Sequence, residues 1–305
     1  MIDITHKSST YRQAIASARV KASSMETIQA IKNNQVPKGN VLEAARIAAL
    51  FGVKKTAELI PDCHPMPVEK TSVDYELGDI YIDIKVEVAT VYKTGVEVEA
   101  MHGASIAALT MYDMLKPIDK GVSIENIQLE KKKGGKSSYK ESFHEKVKAA
   151  VIVVSDSVSK GEKEDKAGLI IKEKLVSYDV DVQTYAIIPD DIDKIQLKVQ
   201  DLLSAENRLI ILTGGTGLSP KDYTPDAIKP LLDMEVPGIM EVARNYGQNR
   251  MPYAMLSRGV AGMVGRSLII TMPGSSGGAK ESMDALFPFV LHIFKVQEES
   301  FRHGQ

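Results

Sequence analysis

Two groups of residues in this chain have types and spacings suited to chemistry. One begins at Leu209-Ile210-Ile211-Leu212-Thr213-Gly214-Gly215-Thr216-Gly217 and continues through Asp222, Thr224 and Asp226. An apolar run ends abruptly in a glycine turn, and without a Cβ the backbone can fold close to a bulky anion. Carboxylates at the edge of such a turn suit a nucleotide held through a divalent cation. Asp156, Asp165 and Asp190 stand near the ends of other apolar runs. Pro273-Gly274-Ser275-Ser276-Gly277-Gly278 precedes a predicted helix whose N-terminus would attract phosphate. Blander readings compete. A glycine turn alone is weak evidence, Asp190 or Asp191 could simply cap a helix, and Ser257-Arg258-Gly259 could be an ordinary surface loop.

The other group lies upstream: Lys38, Asp62, Cys63, His64, Glu97, Glu99, Asp113 and Lys116. Asp113 and Lys116 are three apart on a predicted helix and share a face. They are either a surface ion pair worth under about 1 kcal/mol or a proton-transfer couple whose lysine is tuned by burial and by its neighbour. His64 is structural or functional. Cys63 reads as a small packing residue. Glu97 and Glu99 alternate in a segment expected to be a strand from Lys93.

These residues need elements to position them. Ser23 followed by Glu26 reads as a capping box opening a helix to about Ile31. Residues 40–59 read as one helix, with Leu42, Ala45, Ala49 and Val53 along one side. From Asp79 to Val88, Ile80, Ile82, Ile84, Val86 and Val88 alternate with polar residues, as in a half-buried antiparallel strand. Ser105 to Lys116 is Ala-rich and helical. Beyond residue 147 the rhythm changes: strands at 149–154, 182–188, 208–213 and 268–271 alternate with helices at about 164–176, 191–203 and 279–296. That pattern predicts a mostly parallel sheet covered on both faces, with ligands beyond the strands' carboxyl ends.

The expected fold is therefore two domains. The first, 1–138, is α+β, an antiparallel sheet with helices on one face (ferredoxin-like). The second, 147–305, is a three-layer α/β domain. Lys131-Lys132-Lys133-Gly134-Gly135-Lys136-Ser137-Ser138 cannot pack a core and is expected to be exposed and mobile; a linker at 139–146 follows.

Composition narrows the partners. Hydrophobic residues make up 44% and charged residues 26% of 305, as in a soluble globular protein. No apolar stretch approaches the ~20 residues needed to span a bilayer, and the N-terminus lacks a signal peptide's features. A single cysteine favours a reducing cytoplasm. The net charge of −2 argues against nucleic acid.

Ordered strings in the first half carry a resemblance: Lys38-Gly39-Asn40-Val41, Ile60-Pro61-Asp62-Cys63-His64-Pro65, Lys93-Thr94-Gly95-Val96-Glu97-Val98-Glu99-Ala100, Ala107 to Met114, and Lys133-Gly134-Gly135-Lys136-Ser137. Residues 1 to about 138 resemble cyclic pyranopterin monophosphate synthase. The resemblance implies conversion of a GTP-derived cyclic triphosphate, (8S)-3′,8-cyclo-7,8-dihydroguanosine 5′-triphosphate, to cyclic pyranopterin monophosphate and pyrophosphate, with no cofactor. It implies Asp113 and Lys116 as acid/base residues with Lys38 beside them. Asp62, Cys63, His64, Val98, Glu99, Lys132 and Lys136 would meet substrate. It further implies a hexamer with sites at subunit contacts. Asn40 where Asp is usual, and His102-Gly103 where a Thr-Ala type pair is usual, depart from the pattern.

Ser155-Asp156-Ser157, Asp165-Lys166-Ala167-Gly168, Ile188-Pro189-Asp190, the 213–217 turn, Asp222 to Ala227, Pro237-Gly238, Ser257-Arg258 and Pro273-Gly274-Ser275 form a second ordered series. Residues 147–296 resemble the molybdopterin adenylyltransferase family. That implies ATP and Mg²⁺ placing AMP on molybdopterin, with Asp190 and Asp222 as catalytic acids and metal ligands. Gly214, Gly215, Thr216, Gly217 and Ser275 would lie against the ligand. Ser276-Gly277 departs from the commoner Ser-Pro-Lys turn. The alternative is a non-catalytic pterin-binding or oligomerisation module. Both families favour threefold symmetry, so a homo-oligomer, trimer or hexamer, is expected.

Overall fold

A computed structural model describes residues 1–139, 141–143 and 145–302. The chain divides into two compact units, Met1–Ser138 and Tyr139–Gln305.

In the first unit the chain runs β1 (Thr10–Lys21), α1 (Met25–Lys32), α2 (Val41–Lys54), α3 (Thr56–Leu59), β2 (Lys70–Leu77), β3 (Tyr81–Tyr92), α4 (Glu97–Leu115) and β4 (Ser123–Lys133). The sheet order is β2-β3-β1-β4, and every neighbouring pair is antiparallel. Ala14, Ala16, Ala18 and Val20 of β1, with Ile82, Ile84, Val86 and Val88 of β3, point into one core. Small residues on α4 (Ala100, Ala104, Ala107, Ala108) let that helix lie close on the sheet. Fully burying one of those Ile or Val side chains stabilises by about 1.5–3 kcal/mol. The opposite face keeps polar pairs such as Arg19 with Asp83 at 2.6 Å.

Several expectations are corrected here. Glu97 and Glu99 are not on a strand: they form the first turn of α4, which starts eight residues before the expected Ser105. Alternating Val and Glu in Val96-Glu97-Val98-Glu99 imitates a period of two over too few residues to tell strand from helix. The 40–59 helix breaks at Lys55 into α2 and α3. Ser24, not Ser23, precedes α1; the Ser23 hydroxyl instead donates to buried Asp119 at 2.6 Å. Lys131, Lys132 and Lys133 are exposed but ordered in β4, paired with Ile15, Ala14 and Gln13. Strands β1, β2 and β4 were not anticipated, because their outward residues are too mixed to show alternation.

The second unit runs β5 (Lys148–Val154), α5 (Asp156–Ser159), α6 (Ala167–Ser177), β6 (Asp181–Ile188), α7 (Ile192–Ser204), β7 (Leu209–Thr213), α8 (Thr224–Ile228), β8 (Met234–Glu235), α9 (Pro237–Gln248), β9 (Ala261–Val264), β10 (Ser267–Met272), α10 (Ser276–Leu286) and α11 (His292–Arg302). Its sheet order is β6-β5-β7-β10-β9-β8. Strands β6, β5, β7 and β10 are parallel, and β9 and β8 add an antiparallel edge. Ala149 and Val151 feed one core, Ala150, Ile152 and Val154 the other, so both faces are covered. The expected 279–296 helix is two, α10 and α11. The segment expected as a linker belongs to this unit: Tyr139 packs edge-on to Phe289, Glu141 meets His292 at 2.7 Å, and Phe143 packs on the core. Lys140 and His144 of that segment, and 303–305 of the domain, lie outside the described residues.

Candidate functional site

In the first unit, Gly39 (φ +97) turns the chain into α2. Asn40 then caps that helix, accepting from the Glu43 N–H at 2.9 Å. Asn caps as well as Asp does, so this departure from the family string preserves the local geometry. The turn delivers Lys38 to the far end of α4. There Lys38 Nζ donates to Asp113 Oδ2 at 2.6 Å and to the Asp113 carbonyl at 2.9 Å. Lys116 Nζ lies 2.7 Å from Asp113 Oδ1. Hydrogen bonds from Lys116 and then Lys38 hold the Asp113 carboxyl down at about 2. Asp113 in turn raises Lys116 above the ordinary lysine range. This differs from a lysine tuned downward by burial: the side chains of Asp113 and Lys116 are 52% and 51% exposed, so desolvation is too slight to offset the carboxylate.

At the near end of α4, Glu99 is only 2% exposed. The Cys63 thiol donates to Glu99 Oε1 at 3.2 Å. Burial, then Glu99, pushes the thiol up to about 11, so Cys63 is a hydrogen-bond donor here. Lys132 lies 3.5 Å from Glu97 at the same end. His64 Nε2 meets the Ile2 carbonyl at 2.8 Å, and Asp62 pairs with the N-terminal amine at 2.8 Å. Val98 is exposed, and Lys136 opens a 3-10 turn, Lys136–Tyr139. Glu99 and Asp113 are fourteen residues apart on one helix, about 21 Å at 1.5 Å per residue. One chain thus assembles two half-constellations, not one pocket.

In the second unit, the loops after β5 and β7 diverge where the strand order reverses, the usual crevice of such sheets. Gly214 (φ +106) and Gly215 (φ +59) need left-handed backbone. A Cβ on Gly214 would run into the Val154 carbonyl, and one on Gly215 would lie 2.5 Å from Thr224 Oγ1 and 2.7 Å from Asp190 Oδ1. Asp191 is the cap of α7, accepting from the Lys194 N–H at 3.0 Å, which releases Asp190 from that role. Asp190 and Asp156 instead clasp each other, each carboxylate accepting the other's backbone N–H at 3.1 and 3.2 Å. Burial, with Asp156 and Asp222 nearby, raises the Asp190 carboxyl.

Asp222 Oδ2 accepts the Ser219 N–H at 2.7 Å. Arg258 is no idle surface arginine: it donates to the Gly217 carbonyl at 2.9 Å and to Asp222 O, and pairs with Asp226 at 3.0 Å. Ser275 caps α10, accepting the Gly278 N–H at 3.2 Å. Two clefts meet at Gly215, Asp222, Gly274 and Ser275. One, of 600 Å³, runs along Asp165, Lys166 and Asp190; the other, of 810 Å³, is lined by Met240, Arg244, Met251 and Tyr253.

The donor set suits a hard divalent cation. Asp190 Oδ1 and the hydroxyl of fully buried Thr224 both lack a hydrogen-bond partner, and both border the bare Gly215. Among the described residues no three His, Cys, Asp or Glu side chains gather as a metal group. A cation here would therefore complete its shell with phosphate and water oxygens. Thr224 was expected from sequence only as a hydroxyl at the edge of the turn; its full burial against Gly215 is what the structure adds.

Comparison with known proteins follows these boundaries. Residues 1–135 match the MoaC family, and residues 150–292 match the family described as "Probable molybdopterin binding domain". A molybdenum cofactor biosynthesis bifunctional protein of Chlorobaculum tepidum is 38% identical over 97% of this chain and 94% of its own length. Another, from Synechococcus elongatus, is 36% identical over 97% of both chains. A cyclic pyranopterin monophosphate synthase of Clostridium perfringens is 49% identical over 45% of this chain and 87% of its own. No helix among the described residues is long and apolar enough to cross a membrane. With a MoaC unit followed by a molybdopterin-binding-type unit, matched along nearly its whole length, the chain belongs to the family of bifunctional molybdenum cofactor biosynthesis proteins.

Proposed function

We propose that the first unit converts the GTP-derived cyclic triphosphate to cyclic pyranopterin monophosphate and pyrophosphate, at a site completed by a second copy of the chain. The separation of the two half-constellations along α4 carries this reading. Asp113, Lys38 and Lys116 from one copy would face Cys63, His64, Glu99 and Lys132 of another. Exposed Ile47, Phe51, Leu109 and Tyr112 on α2 and α4 supply apolar surface for such packing. Covering Asp113 and Lys116 removes water from both, and a lysine so desolvated falls toward the range where it can exchange protons with ring atoms. The strand order β2-β3-β1-β4 supports the ferredoxin-like reading.

The second unit is read as a nucleotidyltransferase that joins AMP from ATP to molybdopterin. The meeting of two clefts at the glycine turn supports it, since one substrate can lie on each side of Gly215. Backbone N–H groups of the turn and the N-terminus of α10 would position phosphate oxygens. Asp190 and Asp222 would hold Mg²⁺, which when bound offsets the charge crowded around the reacting phosphorus. Arg258 fixes the turn's carbonyls. The turn after β10 lacks a lysine, which favours the rival reading of a pterin-binding module without chemistry. We place the enzyme in the cytoplasm, with both units in one homo-oligomer.

Two assays on the full chain test this. The cyclised triphosphate should yield cyclic phosphate and pyrophosphate; no product from it would reject the first reading. Molybdopterin with ATP and Mg²⁺ should release pyrophosphate. Normal pterin binding without release would establish the module instead.

A further inference from the structure

The buried carboxylate of Glu99 has an unusual set of neighbours. Its Oε1 accepts the Cys63 thiol, while Oε2 is buried with no hydrogen-bond partner at all. A charged carboxylate in that position would be supported by Glu99's own backbone N–H, one weak S–H donor and its place in the first turn of α4. Among the described residues no lysine or arginine figures in its surroundings. The titratable groups around it are Glu97 and His102 on α4 and Cys63 from the loop after α3. Glu97 opposes ionisation. His102 favours it, but its Nδ1 is engaged with the Thr56 hydroxyl at 3.1 Å. That hydroxyl lies within reach of the Gly52 and Val53 carbonyls as donor, so it accepts from His102. Lys132, from β4, spends its charge on Glu97.

We infer that Glu99 stands in the resting protein as a neutral carboxylic acid, its Oε2 hydroxyl kept as a donor for an acceptor atom of the bound heterocycle. A neutral acid resolves the geometry. The S–H of Cys63 satisfies the carbonyl-type Oε1, and the lone unpartnered group becomes an O–H with a proton to donate. A ring carbonyl or imine nitrogen of a reduced guanine-type base supplies the matching acceptor. A donor of this kind rejects a base lacking the acceptor, because an unmet buried O–H costs roughly a factor of ten or more in binding. The ligand half of this inference rests on the substrate proposed above for the first unit; the protonation half does not.

Infrared difference spectra between the full chain and Glu99→Gln, without ligand at pH 7, test the resting state. A carboxylic-acid C=O band lost in the variant is expected. An ionised-carboxylate band lost in its place overturns the inference. Cys63→Ser, which keeps a donor to Oε1, should retain the acid band, and Cys63→Ala should shift it; no shift means the thiol is not its partner. The ligand half is read by equilibrium binding of the cyclised triphosphate in an Asp113→Asn background that halts turnover. Relative to Glu99→Gln, affinity with Glu99 intact should weaken as pH rises through its ionisation. An affinity that strengthens with pH, or an identical pH dependence in both, overturns the donor role. If the triphosphate binds neither protein, the substrate reading fails while the infrared result still decides the protonation state.

Discussion

Co-expression of Asp113→Ala and Glu99→Ala copies tests whether one chain or two build the first site. The two residues sit about 21 Å apart along α4, fourteen rises of 1.5 Å. A pyranopterin-sized ligand cannot bridge that span, so an intact site must take each half from a different copy. If copies assort freely in a closed oligomer, the chance that one half is intact is one in two, and the same for the other half. About one quarter of the sites should then be wild type in both halves, whatever the symmetry of the ring. The assay is cyclic phosphate formation at substrate well below KM, on the unfractionated mixture of copies expressed in equal amounts. Recovery to roughly a quarter of wild-type rate is expected, against near zero for either parent. A mixture no more active than the diluted parents would refute the argument and require one chain to bring both ends of α4 together.

Two other outcomes follow from the geometry. Gly214→Ala forces a Cβ against the Val154 carbonyl at φ +106, costing about 2–5 kcal/mol of strain and overpacking; Gly238→Ala, with open space in the first turn of α9, should stabilise by up to about 1 kcal/mol. Thermal unfolding of the second unit measures both, and equal midpoints would mean the turn relaxes freely. Asp113, held at about 2, is depressed relative to an unfolded carboxylate near ~3.9. Its contribution is therefore fully present above that unfolded value and lost as pH falls toward 2. A carboxyl NMR titration midpoint at or above ~4 would show that Lys38 and Lys116 do not restrain it.

The sequence exposed some of this architecture and hid the rest for identifiable reasons. In the second unit, buried strands such as Leu209–Thr213 are apolar up to a final threonine and run into glycine, so their position was legible. In the first unit only β3 alternates cleanly. The outer face of β1 mixes Gln13, Ser17 and Arg19 with Ile15, and the inner face is mostly small alanines, which masks the period. Asp113 with Lys116 was readable as a pair at helical spacing. That Lys38 completes it depends on the positive φ of Gly39, which no periodicity reports. Likewise Asp190 could not be told from Asp191 until one was seen to cap α7 and the other to clasp Asp156.

The basic run at the end of β4 has a different consequence from that of a tether. Because Lys131, Lys132 and Lys133 are paired into the sheet beside β1, their side chains spring from a rigid rib and not from a loose tail. The first unit closes its own sheet before Tyr139 begins the second. Changes in the residues that follow can then leave Lys132 opposite Glu97, because the place of β4 is set by β1 and not by the segment after it.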